Sequence, residues 1–202
     1  MFRFFLEGFL YDVSIGLALK KTRRKIADII FRKKLYPVID VCCGTGQQCG
    51  FLEPNGFISG IDNDEGFLGY ARSRYPDVSF VCGDAGRLPF RDESFLCAVI
   101  SYSLHEKPMI LQNKMMDEVR RICRPDAFLI ILDYDMPWNR KSKWGKRLTY
   151  LIERSAGGDH FRYHQSFLNR GGLQAFIKEH KLKEVGRIPL ELGCSSVEVL
   201  HF

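Results

Sequence analysis

Three carboxylates stand where short apolar runs end. Val38-Ile39-Asp40-Val41 leads into Cys42-Cys43-Gly44-Thr45-Gly46, so an apolar stretch delivers Asp40 and then turns through two glycines. Phe57-Ile58-Ser59-Gly60-Ile61 ends in Asp62-Asn63, and Val78-Ser79-Phe80-Val81-Cys82 ends in Gly83-Asp84-Ala85. Each run is short, apolar and bounded by turn residues, which reads as a buried parallel strand. Asp40 precedes the glycines, inside the strand end, where a carboxylate meets a cation rather than a pyrophosphate. Gly44 and Gly46 would let the backbone approach a ligand with no Cβ in the way. A helix over about Gly46 to Leu52 would add free N–H groups at its start. Asp62 lies roughly 20 residues after the first turn, the spacing at which an acid accepts both hydroxyls of a ribose. Asp84 reaches the same sheet edge, suited to an adenine amino group.

The intervening segments must hold these acids at one edge. A helix from about Glu65 to Arg74 is stopped by Pro76, and a fourth strand, Phe95 to Ser101, is apolar throughout, as expected for a strand buried on both faces. A helix from about Pro108 to Cys123 carries Met115, Met116, Val119 and Ile122 at helical spacing, which core packing explains. A fifth strand, Phe128 to Leu132, ends at Asp133-Tyr134-Asp135. A helix near Trp144 to Arg154, a glycine-containing loop and a helix from Gln165 to His180 follow. Glu184 to Leu190 and Ser196 to Phe202 suit a closing antiparallel pair. Ahead of the first strand, Ile26, Ile29, Ile30 and Phe31 give part of a helical stripe. Alternating strands and helices imply an α/β fold with a mainly parallel sheet. Right-handed crossovers and a chain reversal beside the first strand open a crevice at the strand ends.

The segments VIDVCCGTGQQ, GIDND, CGDAGRLPFRDESFLCAVISYSLHE and RRICRPDAFLIILDY, in this order and spacing, resemble class I S-adenosylmethionine-dependent methyltransferases. The branch most resembled is that of the ubiquinone/menaquinone-biosynthesis methyltransferases. The resemblance runs from about Tyr11 to the end of the chain. It implies a Rossmann-like three-layer sandwich whose seven-stranded sheet is mainly parallel with an antiparallel last strand. It implies one methyltransferase domain over 1–202, with an N-terminal helical lid over 1–35 and an acceptor-side insertion over about 136–165. The cofactor would be S-adenosylmethionine, leaving as S-adenosylhomocysteine. Asp40 would sit near the methionine ammonium, with Gly44 and Gly46 against that moiety. Asp62 would hold the ribose, Asn63 would lie beside the adenine, and Gly83, Asp84 and Ala85 would meet the adenine edge. Ser101 and Tyr102 would line the methionine side, and Tyr11 would lie over it from the lid. Cys42 stands where the family has its first glycine, and Pro125-Asp126-Ala127 replaces the usual Pro-Gly-Gly, so that turn would form without glycine.

The acceptor side is less specified. A phenol, enol or thiol would benefit from a general base. His105, Tyr134 and His160 are candidates, with Asp135, Tyr163 and His164 nearby in the sequence order; His105 also reads as a structural histidine. A small planar or lipid-like acceptor suits this mixture. The alternatives are a non-catalytic cofactor-binding regulatory module, or a protein or RNA methyltransferase. An NAD-dependent oxidoreductase would want a third glycine where Cys49 stands.

Composition bounds these readings. At 202 residues one domain is expected. The seven cysteines are odd in number and scattered, and no secretory signal is visible, so a reducing, cytoplasmic setting is expected. Cys42, Cys43 and Cys49 lack the paired spacing of a zinc site, so no metal is expected. The net charge is +6, concentrated in Arg23 to Lys34 and in Arg140 to Arg147. Such clusters read either as solvated helix faces or as attraction to an acidic partner. The second, with Trp138 and Trp144, suits peripheral contact with an anionic membrane. No stretch reaches the roughly 20 apolar residues of a membrane span, and no DNA-binding module is present.

Overall fold

The computed structural model describes residues 19–52, 56–137, 150, 153–154, 157–190 and 194–202. The strands are β1 (Val38–Val41), β2 (Ile58–Asp62), β3 (Ser79–Cys82), β4 (Phe95–Ser101), β5 (Cys123–Tyr134), β6 (Lys183–Leu190) and β7 (Ser195–His201). They form one seven-stranded sheet in the order β3-β2-β1-β4-β5-β7-β6. β1 to β5 pair in parallel. β7 runs antiparallel to both β5 and β6, so β7 alone reverses the sheet. The chain winds outward from β1 to β3 and then returns to place β4 on the other side of β1. That reversal opens a crevice at the strand ends.

Burial on both faces explains the apolar runs. In β4, Cys97 and Val99 join one core, while Ala98 and Ile100 join the other, as alternation along a strand requires. The first core packs under α1 (residues 19–33 of those described), through Ile26 and Ile30, and under α2 (Glu65–Arg74), through Leu68 and Ala71. The second packs under α3 (Met109–Ile122), through Met115, Met116, Val119 and Ile122. Phe167 of α4 (Gly158–Asn169) and Phe176 of α5 (Gly172–Glu179) complete that layer. These are the three layers expected of the fold.

Three local expectations are corrected. Over Gly46 to Leu52 the chain makes only a 3-10 turn, Cys49–Phe51. Gly46 has a φ of 73°, outside the helical region, which prevents a helix from starting there. The single helix expected from Gln165 to His180 is two helices, because Gly171 and Gly172 have φ of 109° and 66°. Gly172 bridges to Asp135, whose Cα would lie 3.0 Å from a Cβ at that glycine. The turn expected over Pro125-Asp126-Ala127 is continuous strand: β5 begins at Cys123, directly after α3, and absorbs the mismatch as a register shift opposite Phe95 and Cys97.

Among the described residues no helix is long and apolar enough to cross a membrane. The lid tyrosine Tyr11 and the basic segment with Trp138 and Trp144 lie outside the described residues. All seven cysteines are free thiols.

Candidate active site

A cleft of about 320 Å³ opens at the ends of β1, β2 and β4. Asp40, Cys42, Gly44, Asp62, Asn63, Gly83, Asp84, Ala85, Ser101 and Tyr102 all line it. Gly46 does not. A Cβ on Gly46 would lie 2.6 Å from Phe80 Cζ and 3.1 Å from Ala71 Cβ, so that glycine serves the packing of α2 and β3 on β1.

The glycine turn is tied to the second strand through Asp62. One of its oxygens accepts the Gly44 N–H at 2.8 Å and the other accepts the Asp64 N–H at 3.0 Å. Asp64 in turn caps α2 by accepting the Phe67 N–H at 3.0 Å. Gly44 has a φ of 53° and Cys42 a φ of 60°. Cys42 therefore takes the left-handed conformation that glycine adopts freely and a residue with a Cβ adopts at a cost. Asp84 Oδ1 accepts the Gly86 N–H at 2.8 Å and is exposed at the cleft rim.

Asp40 is the anomaly. It is 2% exposed; Oδ2 accepts a weak bond from Cys49 Sγ at 3.6 Å, and Oδ1 has no hydrogen-bond partner among the described residues. Burial pushes its carboxyl up to about 7, against the pull of the Arg23 guanidinium, with the Asp62 charge adding to the rise. Arg23, also buried, reaches the cleft from α1. It shares a helix face with Ile26 and Ile30, three and seven residues on, so extending the apolar stripe by one turn would have found it. Gln48, Glu106 and Lys107 also line the cleft and were missed by the sequence reading; Lys107 Nζ pairs with Glu106 Oε1 at 2.9 Å. Glu106 and Lys107 follow Tyr102 in the loop after β4, and nothing in their spacing signals the cleft.

A second constellation adjoins the cleft through that loop. His105 Nδ1 donates to Asp133 Oδ1 at 2.7 Å, and Asp133 Oδ2 accepts the Leu104 N–H at 2.9 Å. His105 Nε2 faces Glu153 Oε2 at 3.6 Å, and the same oxygen meets His160 Nε2 at 2.6 Å. Tyr134 donates its hydroxyl to Glu153 Oε1 at 2.9 Å. Edge-on aromatic contacts join His105 to Tyr102, Tyr134, His160 and His164. The three candidate acceptor-side residues His105, Tyr134 and His160 are thus brought together, by Glu153. Burial opposes a charge on His105, but Asp133 and Glu153 outweigh it and push the imidazole up to about 10. Glu153 is held down to about 2: burial works against this, and the adjacent His105 imidazolium prevails. Burial lowers His164 to about 4, and the charge on His105 adds to the effect.

Two other candidates meet arginines. Asp135 accepts from Arg187 Nη2 at 2.7 Å and from the Met136 N–H at 2.8 Å. Tyr163 meets Arg162 of its own helix at 3.4 Å. Glu153 was missed as a candidate because it lies 48 residues from His105 in the sequence and belongs to no recognisable motif.

Residues 38–126 match the family model described as "Methyltransferase domain". That segment is similar to methyltransferase domains. A demethylmenaquinone methyltransferase of Paenarthrobacter aurescens is 30% identical over 133 residues, covering 63% of this chain and 51% of that protein. The matched part therefore spans about half the length of that relative. A demethylmenaquinone methyltransferase of Bacillus velezensis is 26% identical over 202 residues, covering 91% of this chain and 81% of that protein. The methyltransferase fold extends to solved structures of low identity. A protein of Pyrococcus horikoshii superposes with a TM-score of 0.66 at 20% identity, covering 90% of each chain. The magnesium protoporphyrin IX methyltransferase of Synechocystis, solved with bound SAH, superposes with a TM-score of 0.64 at 14% identity, covering 92% of this chain and 84% of that one.

Proposed function

We propose that this protein transfers the methyl group of S-adenosylmethionine to a small-molecule acceptor of quinone-like or lipid-like kind, by in-line displacement. The observation that carries the reading is Asp40, a buried carboxylate whose Oδ1 has no partner among the described residues, in a cleft that Asp62 and Asp84 also line. A buried acid without a partner is costly, and a ligand ammonium would relieve that cost. When bound, the cofactor supplies a methyl group on a positively charged sulfur, already activated to leave.

The chain's residues then bind, orient and exclude water. Asp40 holds the ammonium, and the open space beside Gly44 admits the methionine moiety. Asp62 has each oxygen engaged by one backbone N–H, which orients its remaining lone pairs toward the ribose hydroxyls. Asn63, Gly83, Asp84 and Ala85 border the adenine. Ser101, whose buried Oγ has no partner among the described residues, and Tyr102 border the reacting end. Tyr102 is fixed there by its hydrogen bond to Ser195 Oγ at 2.8 Å. The His105, Tyr134, Glu153 and His160 cluster forms the polar wall on the acceptor side. His105, charged between two carboxylates, donates hydrogen bonds rather than accepting a proton. The names of the relatives support a quinone-like acceptor, and so does the mixture of aromatic and ionisable groups at this wall.

Thermal shift with S-adenosylhomocysteine, and separately with NADH, tests the cofactor. At 100 times its dissociation constant a ligand adds about 2.7 kcal/mol. For a chain of this size that is roughly 6–10 °C. A shift with S-adenosylhomocysteine alone supports the reading, after which transfer of labelled methyl to demethylated quinols tests the acceptor. No shift, or a shift with NADH alone, overturns it.

A further inference from the structure

The cluster on the acceptor side has the make-up of a metal centre. One ligand atom from each of His105, Glu153 and His160 lies within 4.8 Å of the other two. In a tetrahedral zinc site, with bonds of about 2.0–2.1 Å, neighbouring ligand atoms stand roughly 3.3 Å apart. The distance from His105 Nε2 to Glu153 Oε2, 3.6 Å, is already close to that. The hydrogen bond from His160 Nε2 to Glu153 Oε2, 2.6 Å, would have to open by less than about 1 Å.

The surroundings add a second observation, because His105 and Glu153 are each hydrogen-bonded to an outer partner and a carboxylate stands near the far nitrogen of His160. Asp133, fully buried, accepts a hydrogen bond from His105 Nδ1, which leaves Nε2 as the atom facing Glu153, and a metal there would displace the Nε2 proton. Tyr134 occupies the second oxygen of Glu153. Glu106 Oε2 lies 3.5 Å from Nδ1 of His160, on the ring edge away from Glu153. A carboxylate on the far nitrogen of a ligating histidine is the usual support of such sites, because it fixes the ring and raises its basicity.

We propose that His105, Glu153 and His160 bind one divalent transition-metal ion of the zinc class. Two imidazoles and a carboxylate favour such an ion over magnesium or calcium, which prefer all-oxygen sites. Three protein ligands leave a coordination position open. Glu106 and Tyr102 belong both to this cluster and to the cleft lining, so that position borders the cofactor cleft. Its use there rests on the methyl-transfer reading above. The metal would polarise an enolic or phenolic oxygen of the acceptor and lower the pKa of its hydroxyl, whose proton would pass to water, leaving the ionised, nucleophilic form. The expectation of no metal considered only cysteine spacing, and these ligands are brought together by the fold from positions 105, 153 and 160.

The test uses the whole protein after chelator treatment. Cobalt(II) is titrated while its visible d–d absorption is recorded, and zinc content is measured after dialysis. Binding of S-adenosylhomocysteine is measured in parallel on each variant. One equivalent of metal per chain is expected in the wild type. His160→Ala and Glu153→Gln should weaken it at least about 10-fold, and Asp133→Asn by about 10–100-fold, the range for outer partners of a ligand. His160 is partly exposed, so its variant remains informative if Glu153→Gln fails to fold. Absence of binding at micromolar cobalt and zinc, or equal binding in wild type and His160→Ala, overturns the metal site. Loss of S-adenosylhomocysteine binding in the wild type would instead overturn the methyltransferase reading and leave the metal result standing.

Discussion

Replacing Asp40 with Asn should make the empty protein more stable and the cofactor site worse. In the unfolded chain this carboxyl ionises near 3.8, whereas in the fold it keeps its proton up to about 7 because burial penalises the charge. Between those values the folded state binds the proton and the unfolded state does not, so stability falls as pH rises through the window and levels off above about 7. The window is roughly three pH units wide, and each unit is worth about 1.36 kcal/mol, so the ceiling is about 4 kcal/mol. Water entering from the cleft and local relaxation reduce this to about 2–3 kcal/mol, or roughly 5–10 °C in Tm for a chain of this length. Asn avoids the charge, its amide oxygen can still accept from Cys49, and its NH2 faces the cleft. Thermal melts of both proteins between pH 5 and 8.5, without ligand, should therefore diverge with rising pH, the variant melting higher at pH 8. Calorimetric titration of S-adenosylhomocysteine should show the opposite preference. Wild-type affinity should rise by up to about tenfold per pH unit below pH 7, as the ammonium replaces the proton, and the variant should lose both affinity and that pH dependence. Parallel melting curves, or a wild-type affinity flat from pH 5 to 8, would refute the assignment of Asp40 as the cation-binding acid.

Three further outcomes are expected. Asp62→Ala removes the acceptor of the Gly44 and Asp64 N–H groups and should weaken cofactor binding by about 1.5–3 kcal/mol, the range for charge-assisted hydrogen bonds; an unchanged Kd by titration would sink the ribose role. The two glycines of the turn should separate: Gly46→Ala drives a Cβ to 2.6 Å from Phe80 and should cost about 2–4 kcal/mol in urea unfolding through overpacking and positive φ. Gly44→Ala meets nothing within 4 Å, so it should cost only about 1 kcal/mol of stability while reducing cofactor affinity; the reverse pattern would contradict their placement. Arg187→Ala strips the partner of Asp135 and Glu198, which are 2% and 0% exposed, and should destabilise the fold at pH 8 by about 3–5 kcal/mol. Burial pushes Glu198 up to about 7, so urea unfolding should show a smaller loss at pH 5, where that acid carries its proton; an equal loss at both pH values would count against the buried-pair account.

The sheet and the acids at its edge were legible because they depend on local regularities. Buried parallel strands need apolar runs, and acids at their ends followed by glycine turns leave a readable signature. Asp40, Asp62 and Asp84 therefore emerged from their positions alone, and all three line one cleft. Legibility ended where backbone conformation or distant packing decided the outcome. Gly46 looked like its neighbour Gly44, yet only the approach of Phe80 from β3 separates a packing glycine from a cleft glycine. The last helix looked continuous until Gly171 and Gly172 took positive φ to bring α5 against Asp135.

What the sequence determined by itself was the period of each element and the residue at each strand end, since strand alternation and turn chemistry act over a few neighbouring positions. Tertiary structure alone decided which charges would meet. Arg23 lies 17 residues before Asp40, and Glu153 lies 48 after His105 and 20 after Asp133. Burial then moved the Asp40 carboxyl up, while Asp133 and Glu153 pushed the His105 imidazole up against burial. Both effects depend on exclusion from water and on charges arriving from other elements, neither of which a residue's immediate neighbours specify.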